Sequence, residues 1–187
     1  MKILKKINYN SPVVLSFAFI SFITLILGYI TNGYTTQKWF CVYRSSPFGI
    51  SYYIRLFGHV LGHADLSHYI NNMMMILLIG PMLEEKYKSK NLIVMMTITA
   101  FITGIVNILI FSSGLLGASG IVFMMIVLSS ATSVKEGKIP LTLILVVIMY
   151  LGEQITAGLF SSDNISQLTH IVGGICGGIF GMTATRD

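Results

Sequence analysis

The chain has 187 residues, of which 54% are hydrophobic and only 10% charged, with a mean hydropathy of +0.79 and a formal net charge of +5. That composition excludes an ordinary water-soluble domain of this size and predicts an all-α membrane protein. The two cysteines, Cys41 and Cys176, fall on different sides of such a bundle, so no disulfide is expected, and the basic residues form no stripe or aromatic platform suited to nucleic acid.

Apolar runs recur along the whole length and predict six spans, at about 12–30, 66–83, 92–111, 118–134, 141–159 and 165–185, in one domain covering residues 1–187. The first run is too long for a cleaved signal segment and lacks a small-residue cleavage site, so it is read as a span. The connection that follows, residues 31–65, mixes Trp39, Phe40, Tyr43, Tyr52, Tyr53 and Phe57 with few charges. Such a segment is expected to rest in the membrane interface. With the N-terminus in the cytoplasm, nine of the twelve Lys and Arg lie inside: Lys2, Lys5, Lys6, Lys86, Lys88, Lys90, Lys135, Lys138 and Arg186. Only Lys38, Arg44 and Arg55 fall outside, which places both termini in the cytoplasm.

Polar residues inside spans are costly unless they face the protein interior, so they mark where chemistry is to be sought. In the second span His68 and Asn72, four apart, share one helical face. Asn71 points away from it and suits a bridge between helices, while Met73, Met74 and Met75 read as lipid-facing or as core filler. The fourth span opens with Gly117-Ala118-Ser119-Gly120. Sixteen residues separate Ser119 from Lys135, the next charge, and the same number separates His68 from Glu84 and His170 from Arg186. Sixteen residues of helix cover roughly 24 Å against a hydrocarbon core of about 30 Å, so three reactive side chains share one depth below the surface.

Glu153 in the fifth span fits a structural partner or a role where a substrate enters. In the sixth span His170 is followed by Gly174 and Gly178, with Gly173, Gly177 and Gly181 on a neighbouring stripe that would let another helix approach closely. If that helix is the one headed by Ser119, the hydroxyl and a ring nitrogen of His170 come within hydrogen-bond reach, as a nucleophile and its base require. No carboxylate falls at the depth of His170, so the pair reads as a dyad. His68, Asn72 and the backbone N–H groups beside Ser119 supply donors for an oxyanion.

The Gly117-Ala118-Ser119-Gly120 motif, the pattern His63-x4-His68-x3-Asn72, and His170-x2-Gly173-x3-Gly177 together resemble the rhomboid intramembrane serine proteases, in register from about Arg55 to Gly181. The resemblance implies that Ser119 is the nucleophile, His170 its general base, and His68 and Asn72 with the Ser119 backbone the oxyanion hole. Arg55 matches the arginine of the family's first-loop motif, and Glu84 the acidic residue closing the second span. His63, Gly117, Gly120, Phe123, Gly173 and Gly177 support the site by the same likeness. It implies no cofactor and no metal, and transmembrane proteins as substrates that enter between the second and fifth spans. It also implies a minimal six-span form in a bacterial plasma membrane; self-association is left open.

Two positions depart from the pattern. Ile54 stands where many members carry tryptophan, and Phe123 replaces a tyrosine often stacked on the catalytic histidine. Two other classes remain open at this stage. A catalytically inactive rhomboid-like protein would keep the fold and bind membrane segments, and a metal-dependent enzyme would draw on His59, His63 and His68, although no His-Glu-x-x-His signature is present.

Overall fold

The computed structural model describes residues 8–45, 48–131 and 164–183, together with helical positions 141, 144–145 and 148–149. The described chain is predominantly helical and has no strand. In order the elements are α1 (Pro12–Ile30), α2 (Tyr34–Trp39), α3 (Ile50–Gly58), a 3-10 turn (His59–Leu61), α4 (Leu66–Ile110), α5 (Ser119–Ala131) and α6 (Asn164–Thr183). Two of them, α1 and α4, are long and apolar enough to cross a membrane.

Pro12 opens α1, where its missing N–H costs nothing. The next two N–H groups, of Val13 and Val14, each donate to one oxygen of the buried Glu84 carboxylate at 3.0 Å. The negative charge thus sits at the positive end of α1. The far end of α1 is tied to the start of α4: Leu66 N–H donates to the Tyr29 hydroxyl at 3.0 Å, and the Tyr69 hydroxyl donates to the Ala18 carbonyl at 3.1 Å. The first half of α4 therefore runs antiparallel to α1.

The sequence leads one to expect a loop between spans at 66–83 and 92–111. Two helices meet there, and the connection is a sharp break at Lys88 (φ 66°, ψ 151°) rather than a longer loop. Glu84, Glu85, Lys86 and Lys90 are strong helix formers, and charge at the end of a bundle does not oppose a helix. The break turns the chain back, since His68 of the first half and Thr103 of the second both pack on residues 117–120. Each half has about 22 residues, roughly 33 Å, enough for the ~30 Å hydrocarbon thickness. Phe111, read as part of the third span, is the extended cap that ends α4.

Helices α5 and α6 are the most closely packed pair, and they run parallel. A Cβ on Gly173 would lie 3.0 Å from Gly120 Cα, and one on Gly177 would lie 3.1 Å from Leu128 N, so contacts advance in the same direction along both. Only glycine permits this backbone-to-backbone approach. The core between α1, α4 and α5 is filled by Val14, Ile76, Leu83, Leu92, Ile121 and Met124, all fully buried. Outward faces remain apolar: Phe19, Ile23 and Ile30 of α1 and Leu78, Ile93 and Ile110 of α4 are exposed.

Met73 is buried in the core and Met74 exposed, so the methionine run serves both expected roles. Asn71 is exposed and makes no bridge among the described residues; Asn72 is the buried one. The fifth span lies outside the described residues except for the five helical positions, whose side chains are exposed. Glu153, Lys135 and Arg186 also lie outside them.

Candidate active site

Asp65 is the N-cap of α4, and its Oδ1 accepts from His68 N–H at 2.8 Å, which fixes His68 in the first turn. One turn on, Asn72 Nδ2 donates to the His68 carbonyl at 3.1 Å. His63 closes this group from the preceding loop. Its ring meets those of His68 and Tyr69 edge-on, with centroids 5.1 and 5.5 Å apart, and its Nδ1 lies 3.2 Å from the Leu61 carbonyl. Burial, reinforced by His68, lowers the His63 pKa from 6.5 to about 4.

The segment before α5 is held to this group by backbone geometry. Gly117 has φ +118°, and a Cβ there would lie 2.6 Å from Cε1 and Nε2 of His68. No other residue type satisfies both conditions. Its N–H donates to the His59 carbonyl at 2.9 Å. Val42 and Leu115 exchange backbone hydrogen bonds of 3.0 and 2.8 Å, and Asn107 Nδ2 donates to the carbonyls of Val42 and Ser113, each at 3.2 Å. The connection between α2 and α3, the end of α4 and residues 113–117 are thus clamped together, and Ser119 follows as the first residue of α5.

His170 comes to the same place from α6. Its ring lies 4.2 Å, centroid to centroid, from that of Phe123, one turn after Ser119, at an interplanar angle of 35°. A Cβ at Gly120 would lie 3.2 Å from Cγ2 of Thr169 and of Thr103, so the first turn of α5 is wedged between α4 and α6. His68, Asn72, Ser119 and His170 therefore gather around the N-terminal turns of α4, α5 and α6. Orphan backbone N–H groups at the start of α5 add positive character there. The arrangement offers a hydroxyl, two imidazoles and amide donors in one half-buried neighbourhood.

The remaining sequence-singled residues act at a distance. Arg55, 3% exposed, donates through one guanidinium nitrogen to the Lys38 carbonyl at 3.1 Å and the Tyr43 hydroxyl at 3.3 Å, with its guanidinium 4.9 Å from the Tyr43 ring centroid. It organises the connection between α1 and α4. Glu84 lies at the opposite end of the bundle and caps α1. His59 is fully buried, with Nδ1 3.3 Å from the Arg55 carbonyl and Nε2 3.3 Å from the Thr103 hydroxyl. Both its nitrogens are occupied within the protein, and among the described residues no three His, Cys, Asp or Glu side chains gather as metal ligands.

Sequence reasoning passed over the clamp made by Val42, Leu115 and Asn107. Only Asn107, an amide at the end of an apolar run, carried a signal. Cys41 packs against Gly114 in the same clamp, while Cys176 is buried in α6.

No curated protein matches the chain. The model of the rhomboid domain family matches residues 51–187, a stretch that contains Arg55, His68, Asn72, Ser119 and His170. A match over most of the length, on a helical chain whose motif residues converge at one end of the bundle, establishes that this protein belongs to the rhomboid family.

Proposed function

We propose that the protein is an intramembrane serine endopeptidase that cuts transmembrane segments of other membrane proteins. Ser119 Oγ attacks the scissile carbonyl, and His170 takes its proton and passes it to the leaving amine. Water, deprotonated by the same histidine, then releases the acyl group from Ser119. The oxyanion is held by the Ser119 N–H with donors from His68 and Asn72. The observation that carries this reading is the first turn of α5, packed on His68 through Gly117 and on His170 through Phe123.

The same reading has six spans and both termini in the cytoplasm of a bacterial plasma membrane, as one domain over residues 1–187. Family membership and the exposed apolar faces of α1 and α4 make this an integral membrane protein. In this reading the fifth span, at about 141–159, connects the parallel α5 and α6. The start of α1 and the end of α6 then lie on one side, where the lysine-rich connections also fall. Substrate would enter between the second and fifth spans and unwind locally, because a helix hides its carbonyls in its own hydrogen bonds.

The test is cleavage of a model transmembrane substrate by purified protein in lipid. Ser119→Ala and His170→Ala should each abolish cleavage with the fold intact, and the double variant should lose no more than either, because the pair acts as a unit. Wild-type protein without activity on any transmembrane substrate would favour the catalytically silent alternative. Cleavage at the wild-type rate by Ser119→Ala would overturn the assignment.

A further inference from the structure

Between α1 and the second half of α4, away from the site, runs an open groove of about 420 Å³. Its walls are Val13, Phe17 and Ile20 on one side and Ile93, Met96 and Ala100 on the other, with Val60 and Ile121 at its floor. The three polar side chains along it are satisfied within the protein. Ser16 pairs with the Tyr9 hydroxyl at 3.0 Å, Ser89 donates to Glu84 at 2.7 Å, and Thr97 donates to the Ile93 carbonyl at 2.7 Å. The groove therefore offers an occupant only apolar contact. The wall from Pro12 to Ile20 is about 12 Å long and that from Ser89 to Ala100 about 16 Å, near half of the ~30 Å hydrocarbon core. That is too short for a spanning helix and matches a chain reaching in from one leaflet.

At Pro12 and Ser89 this groove continues into a second cleft, of about 550 Å³, where Asn10, Ser11, Glu84 and Glu85 join the apolar Leu78, Pro81 and Met82. Glu84 is engaged by the N–H groups of Val13 and Val14, whereas Glu85 is exposed. Ser89 lines both cavities, and the exposed Lys88 and Lys90 are its neighbours in the chain. An apolar slot of one-leaflet length opening into a polar cleft with adjacent cationic and anionic groups is complementary to an amphiphile carrying both charges. We propose that this composite groove binds one aminophospholipid, its acyl chain between α1 and α4, its phosphate toward Lys88 and Lys90, and its ammonium toward Glu85. The site rests on the protein's being embedded in a bilayer and not on its proteolytic activity. Because Ile121 lies two residues after Ser119, the acyl chain would pack beneath the start of α5.

The test uses the full chain in nanodiscs of equal parts phosphatidylethanolamine and phosphatidylglycerol, extracted into mild detergent and weighed by native mass spectrometry. Wild-type protein should retain one phosphatidylethanolamine per chain. Ile93→Trp and Thr97→Trp, at exposed positions that fill the slot, should lower that occupancy roughly tenfold, about 1.4 kcal/mol of binding, with the thermal midpoint unchanged. Glu85→Lys should reverse the preference toward phosphatidylglycerol, and being a change at an exposed position it decides the matter even if the tryptophan variants fail to fold. Absence of a stoichiometric lipid on the wild type, retention unaltered by filling the slot, or a headgroup preference unmoved by Glu85→Lys would each overturn the proposal.

Discussion

Gly117 concentrates two demands on one residue: a left-handed backbone and a surface flat enough to lie on the His68 ring. Gly117→Ala should cost about 1–3 kcal/mol and displace Ser119, so thermal unfolding and cleavage assays should both show the loss. Glycines of α6 allow a sharper comparison, because a Cβ at Gly177 meets the α5 backbone whereas one at Gly178 finds only Val127 Cγ1, at 3.9 Å. Gly177→Ala should destabilise by about 1–3 kcal/mol, while Gly178→Ala should be silent in the same melt. Equal effects at the two positions would contradict the parallel packing of α5 and α6. Under the proposed mechanism Asn72→Ala should lower kcat by about 10²–10³ with little change in KM, since a donor to the oxyanion acts in the transition state. Unchanged kcat would remove Asn72 from that role.

At the scale of elements, the start of α1 and the break in α4 depend on one carboxylate. Glu84 accepts from Val13 and Val14 and from the Ser89 hydroxyl, so it joins the first helix to both sides of the break at Lys88. Glu84→Ala leaves buried N–H groups without an acceptor and should cost about 2 kcal/mol. Glu84→Gln, which keeps one acceptor but turns an amide NH₂ toward the other donor, should fall between. The measurement is the thermal midpoint in detergent, and no shift for alanine would mean that water replaces the carboxylate. The sequence marks Glu84 through its resemblance to a family position and as the first charge after His68. Its bonds to α1, some seventy residues earlier in the chain, are a tertiary fact.

The whole molecule should respond to acid through two buried imidazoles outside the spans. Burial lowers the pKa of His59, and burial together with His68 that of His63, from 6.5 to about 4 in each case. The folded state therefore refuses protons that the unfolded chain accepts. This contribution to stability is fully present above about pH 6.5 and is lost as pH falls toward 4. Unfolding midpoints should drop across that window, and His59→Gln, compared with its own value at pH 7, should flatten the decline. A midpoint independent of pH between 7 and 4 would show that neither histidine is held neutral.

Composition and hydrophobic runs sufficed to reveal a helical membrane protein, because a bilayer demands long apolar segments with internally satisfied backbones. The spacing of His68, Ser119 and His170 from the next charge put them at one depth, and helices have a fixed rise per residue. Motif spacing revealed the family. Which side of each helix meets which neighbour is not periodic information. The glycine stripe of α6 and the aromatic place of Phe123 were signalled in the sequence, whereas Gly117 lying on His68 follows only from the packed chain. That helical geometry runs up to Lys88 from both sides escaped because charge reads as loop in a hydropathy profile, although the residues beside the break favour helix. The clamp of Val42, Leu115 and Asn107 escaped because two of its four bonds join backbone to backbone and the other two run from Asn107 to backbone carbonyls, partners that leave no mark on side-chain sequence.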